Sequence, residues 1–441
     1  QECPTLLRLP TESPAGQYGW RPIIIMAALF FSIGFVTWLN GPLITFVQVA
    51  FNLSDVASFL VPVCFYLAYL VFPLPATLLS RRIGRRRGLI LALCVMAVGT
   101  VLFGECVNAR FYGGALSGLS VIGAGLALLQ ITINPYISLL GDHSRAAQRI
   151  AIMGVANKLA GIAAPALFAI IVMPNIGAVA ASISSAPPGP LREAILTRFA
   201  HAVHGPYLFM AFFLVLLAIL VSRAHLPEIT IAETPTTAPQ GTRLHTVWML
   251  TGAFAMFLYV GVEVLAGDAI GYFGHTLGLS LDVTKYLTSC TLAAMMAGYI
   301  AGMVFVPRFI SQEHYMVLSC ILGVMLCLLS MVVSGIAPVA CVALLGVANA
   351  MILPALFPVV LAAAGSDGAW ATAFLVMAYS GGAFLPQTYV HFAPMLGTRT
   401  AFMVLAIPSY LFMAGWMLAI NKRRAGHVEP IGLHETRVQT P

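Results

Sequence analysis

The stretch Tyr259–Ala269 reads YVGVEVLAGDA and sets two carboxylates, Glu263 and Asp268, inside one long apolar segment. Groups of this kind take up and release protons, or accept hydrogen bonds from a polar solute. One cation, Lys158, lies comparably deep in another apolar stretch. It can pair with a carboxylate, donate to a hydroxyl, or carry its charge outward along its stem. An ionisable side chain in lipid is costly, so each one retained is a candidate working part. Amides occupy other apolar stretches: Asn40, Gln130, Asn134, Asn157, Asn349 and Gln387. An amide both donates and accepts, which suits a polyol such as a sugar; the competing role is hydrogen-bonded glue between helices. Gln130 and Asn134 share a helix face, and beside Pro135 the Asn134 amide could instead satisfy freed backbone. Trp38, Tyr66, Tyr259 and Tyr379 could stack on a pyranose ring or simply pack.

The elements that must position these residues follow from composition. Charged residues make up 8% of the 441-residue chain and hydrophobic ones 60%, with a mean hydropathy of +0.94. Soluble domains carry about 25% charged residues, so this chain belongs in lipid. A helix needs about 20 apolar residues to cross a bilayer. Twelve such stretches are readable, at 22–45, 56–79, 88–106, 112–140, 149–173, 203–222, 245–273, 283–306, 314–335, 337–364, 369–392 and 400–420. The expected class is an all-α integral membrane protein with both termini on one side. Basic residues cluster on that side: Arg81, Arg82, Arg85, Arg86 and Arg87, then Arg145, Arg149, Arg223, Arg243, Arg308, Lys422, Arg423 and Arg424. Only Arg110, Arg192, Arg198, Lys285 and Arg399 fall opposite. By the positive-inside rule both termini are cytoplasmic, which accounts for the net charge of +7. The basic residues form no soluble patch for nucleic acid. Cysteines and histidines show neither a disulfide framework nor metal-ligand spacing.

The halves repeat. Gly34 aligns with Gly261, Asp55-Val56 with Asp282-Val283, and Arg81 with Arg308, all at one fixed offset. Later spans drift slightly: Gln130, ahead of Pro135, matches Asn349, ahead of Pro354, and Val155 to Pro165 matches Val376 to Pro386. This divides the chain into a six-helix bundle at 1–222, a polar linker at 223–243, a second bundle at 244–422 and a tail at 423–441. Parallel repeats of this kind place a substrate site near the midplane between the halves.

The loop PATLLSRRIGRRRG (Pro75–Gly88) resembles the major facilitator signature between the second and third spans, with Arg81 where an acid is usual. The segments FVTWLNGPLI, LALLQITINPYISLLG and VALLGVANAMILPALFP resemble the fucose–galactose–glucose proton symporter family, and IMGVANKLAGIAAP with YVGVEVLAGD is most similar to its glucose/galactose and N-acetylglucosamine branch. The resemblance implies a twelve-span sugar importer of the bacterial inner membrane, a monomer with a proton as coupling ion and no cofactor or metal. Fucose permease has an aspartate where Gly41 stands and a glutamate where Gln130 stands. The repeat maps Gly41 onto Asp268, so proton coupling is expected to have moved to span seven.

Glu263, in the outer half of that span, is suited to proton uptake if buried without a partner; the competing role is a structural ion pair or a hydrogen-bonded core acid. Asp268 is expected nearer the outer surface, either as a second proton site or as a solvated helix end. Five residues turn a straight helix through about 500°, so Gly267 and Gly271 would have to unwind it to bring both acids to one cavity. If Lys158 pairs with one of them, that acid is better placed to bind sugar than to carry a proton. Trp38, Asn40, Gln130, Asn134, Asn157, Lys158, Tyr259, Asn349, Tyr379 and Gln387 are the expected sugar contacts. Arg81, Arg82, Arg85 and Arg86 fix topology or latch the cytoplasmic helix ends. Residues 174–202 read as a long periplasmic loop. A uniporter or sodium-coupled carrier, a multidrug exporter, and a sugar sensor or membrane enzyme are the rival readings. The amides disfavour an exporter. No nucleophile, base or metal set argues for an enzyme, and no output domain for a sensor.

Overall fold

The computed structural model describes residues 20–139, 146–224, 243–306, 308–363 and 368–426, and every regular element within them is a helix. Ten helical stretches are long and apolar enough to cross a membrane, and the pair Asp55–Val71 and Pro73–Ile83, bent by 54°, forms an eleventh. The twelfth, Gly368–Leu396, is divided by a 3-10 turn at Ala378–Ser380 into pieces too short to qualify singly. The fold is thus twelve transmembrane helices in two pseudo-symmetric bundles. The linker at 225–242 and most of the tail lie outside the described residues, as does Arg145.

Several spans are discontinuous, and proline explains two of the breaks. Span one runs Trp20–Thr37, turns at Trp38-Leu39, and resumes as Asn40–Phe51. Pro42 has no N–H to give the Trp38 carbonyl one turn back. Span ten breaks at Ala350-Met351, and Pro354 stands in the same relation to Ala350. Span seven runs Arg243–Gly267, turns at Asp268-Ala269, and continues as Ile270–Thr276. Its break falls between the two glycines expected to unwind it.

The repeat is visible in the packing. A Cβ on Gly123 of span four would sit 2.3 Å from the Phe65 carbonyl oxygen of span two. A Cβ on Gly346 of span ten would sit 2.2 Å from the Thr291 carbonyl oxygen of span eight. Both bundles therefore bring equivalent helices into backbone contact over a glycine, as lipid-embedded helices do where association rests on close packing.

Three expectations need correction. Span one extends to Phe51 rather than residue 45, and span twelve runs Thr398–Gly426 rather than 400–420. The 174–202 stretch is not an irregular loop: it holds helices Ile176–Ser185 and Pro190–His201. Pro190 opens the second of these, at a position where a helix has no use for an N–H.

The halves meet at both ends of the bundle. At the arginine-rich end, Pro73–Ile83 packs on Gly368–Met377. At the opposite end, Asn40–Phe51 packs on Ile270–Thr276, and Ile176–Ser185 on Leu281–Thr284. Between these seals lie the buried charges.

Candidate functional site

Span five carries Lys158 in the helix Ala146–Ile171, and span seven carries Glu263 just before its break. Their side chains meet across the seam: the Lys158 ammonium donates to Glu263 Oε1 at 2.9 Å, with both side chains over nine-tenths buried. Lys158 therefore does not reach out to the bilayer surface. Its ammonium lies 4.6 Å from the Trp38 ring centroid and 6.0 Å from that of Tyr299. An aromatic face attracts a cation most when both are out of water. Trp38 itself sits between Gly161 and Gly267, where a Cβ on either would approach its ring to 2.6 Å. The indole is therefore held between spans five and seven with one face taken by the ammonium.

Of the two acids that Lys158 could pair with, it takes Glu263, whose charge it matches. Asp268 is the acid without a cation. It is 2% exposed, no cation among the described residues forms an ion pair with it, and its one neighbouring donor is the backbone N–H of Gly41. It is thus no solvated helix end. The turn after Gly267 drops it into the seam, where it faces Gly41: a Cβ at that position would lie 3.1 Å from Asp268 Oδ1. The two positions that the repeat equates meet across the pseudo-symmetry axis.

The amides divide by partner. Gln130 donates to the Tyr69 hydroxyl at 2.9 Å, and Asn349 Oδ1 accepts from the Tyr410 hydroxyl at 2.8 Å. The equivalent amides of the two halves are thus each held by a tyrosine. Asn40 is buried beside the Tyr66 hydroxyl, and the Asn349 amide nitrogen is buried without an acceptor among the described residues. Asn157 donates to the Phe30 carbonyl at 3.3 Å and ties span five to span one. Gln387 donates to the Val56 carbonyl at 3.4 Å, far from the ion pair, and closes the end opposite the arginines. The Asn134 side chain lies outside the described residues. Tyr259 is fully buried with its hydroxyl beside Glu263, and Tyr379 packs its ring 5.7 Å from that of Tyr69.

Tyr69, Tyr299 and Thr288 were not singled out from the sequence. Tyr69 stands one turn after Tyr66, a same-face spacing that could have drawn attention to it; the other two gave no signal beyond being polar in apolar spans. In the arginine cluster, the Arg81 guanidinium lies 5.9 Å from the ring of Trp370, joining the halves. Arg86 donates to the Ser222 carbonyl within its own half. Arg82 is exposed, and the Arg85 side chain also makes contacts. Among the described residues no group of three His, Cys, Asp or Glu side chains could hold a metal.

Chemically, the seam holds a charge-matched donor–acceptor pair and one buried acid with no cation paired to it. That set can grip a neutral polyol and exchange a proton.

Comparison with known proteins places the architecture. The chain is 28% identical over 425 residues to a glucose/galactose transporter of Brucella abortus biovar 1 (strain 9-941), covering 95% of this chain and 98% of that one. It is 24% identical over 377 residues to an L-fucose-proton symporter of Escherichia coli (strain K12), covering 82% and 84%. Among solved structures it is similar to the transporter FucP in the outward conformation, with a TM-score of 0.70 at 21% identity over 90% of this chain and 98% of that one. The family model described as Major Facilitator Superfamily matches residues 26–386, and the chain belongs to that family.

Proposed function

We propose that the protein imports a hexose of the glucose/galactose or N-acetylglucosamine class across a bacterial cytoplasmic membrane, coupled to a proton, by alternating access between its two halves. The observation that carries this reading is the buried Asp268, with no cation paired to it, beside the buried Lys158–Glu263 pair. Burying an unpaired charge is far more costly than burying a neutral carboxyl. The closed seam therefore favours Asp268 protonated, and an empty carrier with Asp268 ionised resists closing. Proton uptake from the outside lifts that resistance. The Lys158–Glu263 pair supplies a donor and an acceptor that hydroxyls can enter between. Closure around sugar and proton, opening at the other end and release complete the cycle. The names of the similar transporters support the substrate class. The arginine bias supports cytoplasmic termini, and nothing in the mechanism needs more than one copy of the chain.

The test is uptake of labelled glucose, galactose and N-acetylglucosamine into proteoliposomes, with and without an inward proton gradient. Wild type should accumulate one sugar only under the gradient. Asp268→Asn should lose accumulation yet still exchange internal for external sugar. Equilibration indifferent to both gradient and substitution would make the protein a passive carrier and Asp268 a structural residue.

A further inference from the structure

We infer that Gly41 is a steric seat for the span-seven break, and that a bare Cα at this position is what lets the two halves close at the end opposite the arginines. The inference rests on alternating access but not on the identity of the solute or the coupling ion.

Gly41 is the second residue of the helix Asn40–Phe51 in the first half. Two elements of the second half lie over it: the Asp268-Ala269 turn of span seven and Thr288 near the start of the helix Leu287–Phe305 in span eight. A Cβ on Gly41 would stand 2.3 Å from Thr288 Oγ1, 3.1 Å from Thr288 Cγ2 and 3.1 Å from Asp268 Oδ1. Turning Thr288 gives only partial relief. It is β-branched and confined to two χ1 rotamers in a helix, and because two of its three staggered positions face Gly41, any turn leaves at least one branch there. Asp268 cannot retreat either, because Gly267 before it is backed by the Trp38 ring at 2.6 Å from a Cβ there. All three residues are buried. A methyl at position 41 is accommodated only if the second half moves away from the first.

This contact is the innermost layer of a seal. Outward from it, the Phe59 and Tyr272 rings of the two halves meet edge to face at 5.6 Å. Beyond them Lys285 donates to the Met173 carbonyl at 2.9 Å, and the Gly177 N–H donates to Asp282 at 3.2 Å. Because the layers are in series, a wedge at the innermost one holds the outer ones apart.

The test needs no transported solute. In a cysteine-free background, Thr45→Cys, a near-isosteric change at a buried position one turn after Gly41, reports on the seal by its rate of labelling with a membrane-impermeant maleimide. Gly41→Ala should raise that rate about tenfold, as forced overpacking of a buried contact implies, and should slow exchange. Adding Thr288→Ala removes both colliding branches and should return both readouts toward those of Gly41 protein. Labelling unchanged by Gly41→Ala, or a rise that Thr288→Ala does not reverse, overturns the inference. A protein that labels as expected but carries no sugar leaves the seat standing and removes the substrate reading instead.

Discussion

Lys158 and Glu263 form an ion pair whose partners come from different halves, so its energetics bear on both stability and transport. Removing one member of a buried pair leaves the other charge uncompensated, typically at about 3–5 kcal/mol, whereas replacing both with apolar residues is often neutral. Lys158→Met should therefore lower thermal stability in detergent markedly. The double variant Lys158→Met/Glu263→Met should recover most of that loss. Neither should transport, because the donor and acceptor for the solute are gone. Thermal unfolding and uptake measured together separate these outcomes; a double variant as unstable as the single would mean that the charges do not act as a pair. These two residues were conspicuous in the sequence because lipid leaves so few ionisable groups in place. Their pairing was not legible, since nothing along the chain states which spans face each other across the seam.

Elements decided what single residues could not. Asp268 read as either a second proton site or a solvated helix end, because the sequence does not state whether Gly267 and Gly271 interrupt the helix. The turn after Gly267 redirects the chain and buries the carboxyl under Gly41. Span positions and the repeat were legible, since hydropathy and a fixed offset are local, additive signals. The breaks at Trp38 and Ala350 were implicit in Pro42 and Pro354. The 176–185 and 190–201 helices were missed because Ala, Ser and Pro together resemble a linker. Their role is now visible, since the first of them receives the Asp282 carboxylate at its start through the Gly177 N–H. Asp282 is half exposed, and such contacts contribute at most about 1 kcal/mol. Asp282→Asn should therefore raise labelling of a Thr45→Cys reporter by no more than about fivefold. A larger effect would mean that the contact is the main lock at this end rather than one layer among several.

At the scale of the molecule, the halves are tied at three depths: Arg81 on Trp370 at one end, Lys158 on Glu263 at the centre, and the Asp282–Lys285 turn on Met173 and Gly177 at the other end. Alternating access requires the two end seals to open in different states, so each biases a different step away from the closed form. A cation–π contact near the surface contributes about 0.5–1 kcal/mol. Trp370→Ala should therefore raise labelling of a cysteine at the arginine-rich end by about two- to fivefold and leave the opposite reporter unchanged. Asp282→Asn should do the reverse. Combining them sharpens the argument, because both destabilise the shared closed state. In the double variant each end should label at about its single-variant rate, and the ratio of the two rates should return toward the wild-type ratio. Labelling at one end that falls when the other end is weakened would instead mean that the closed state is scarcely populated. The halves would then act as a two-position rocker, in which loosening one seal draws population directly from the state opened by the other.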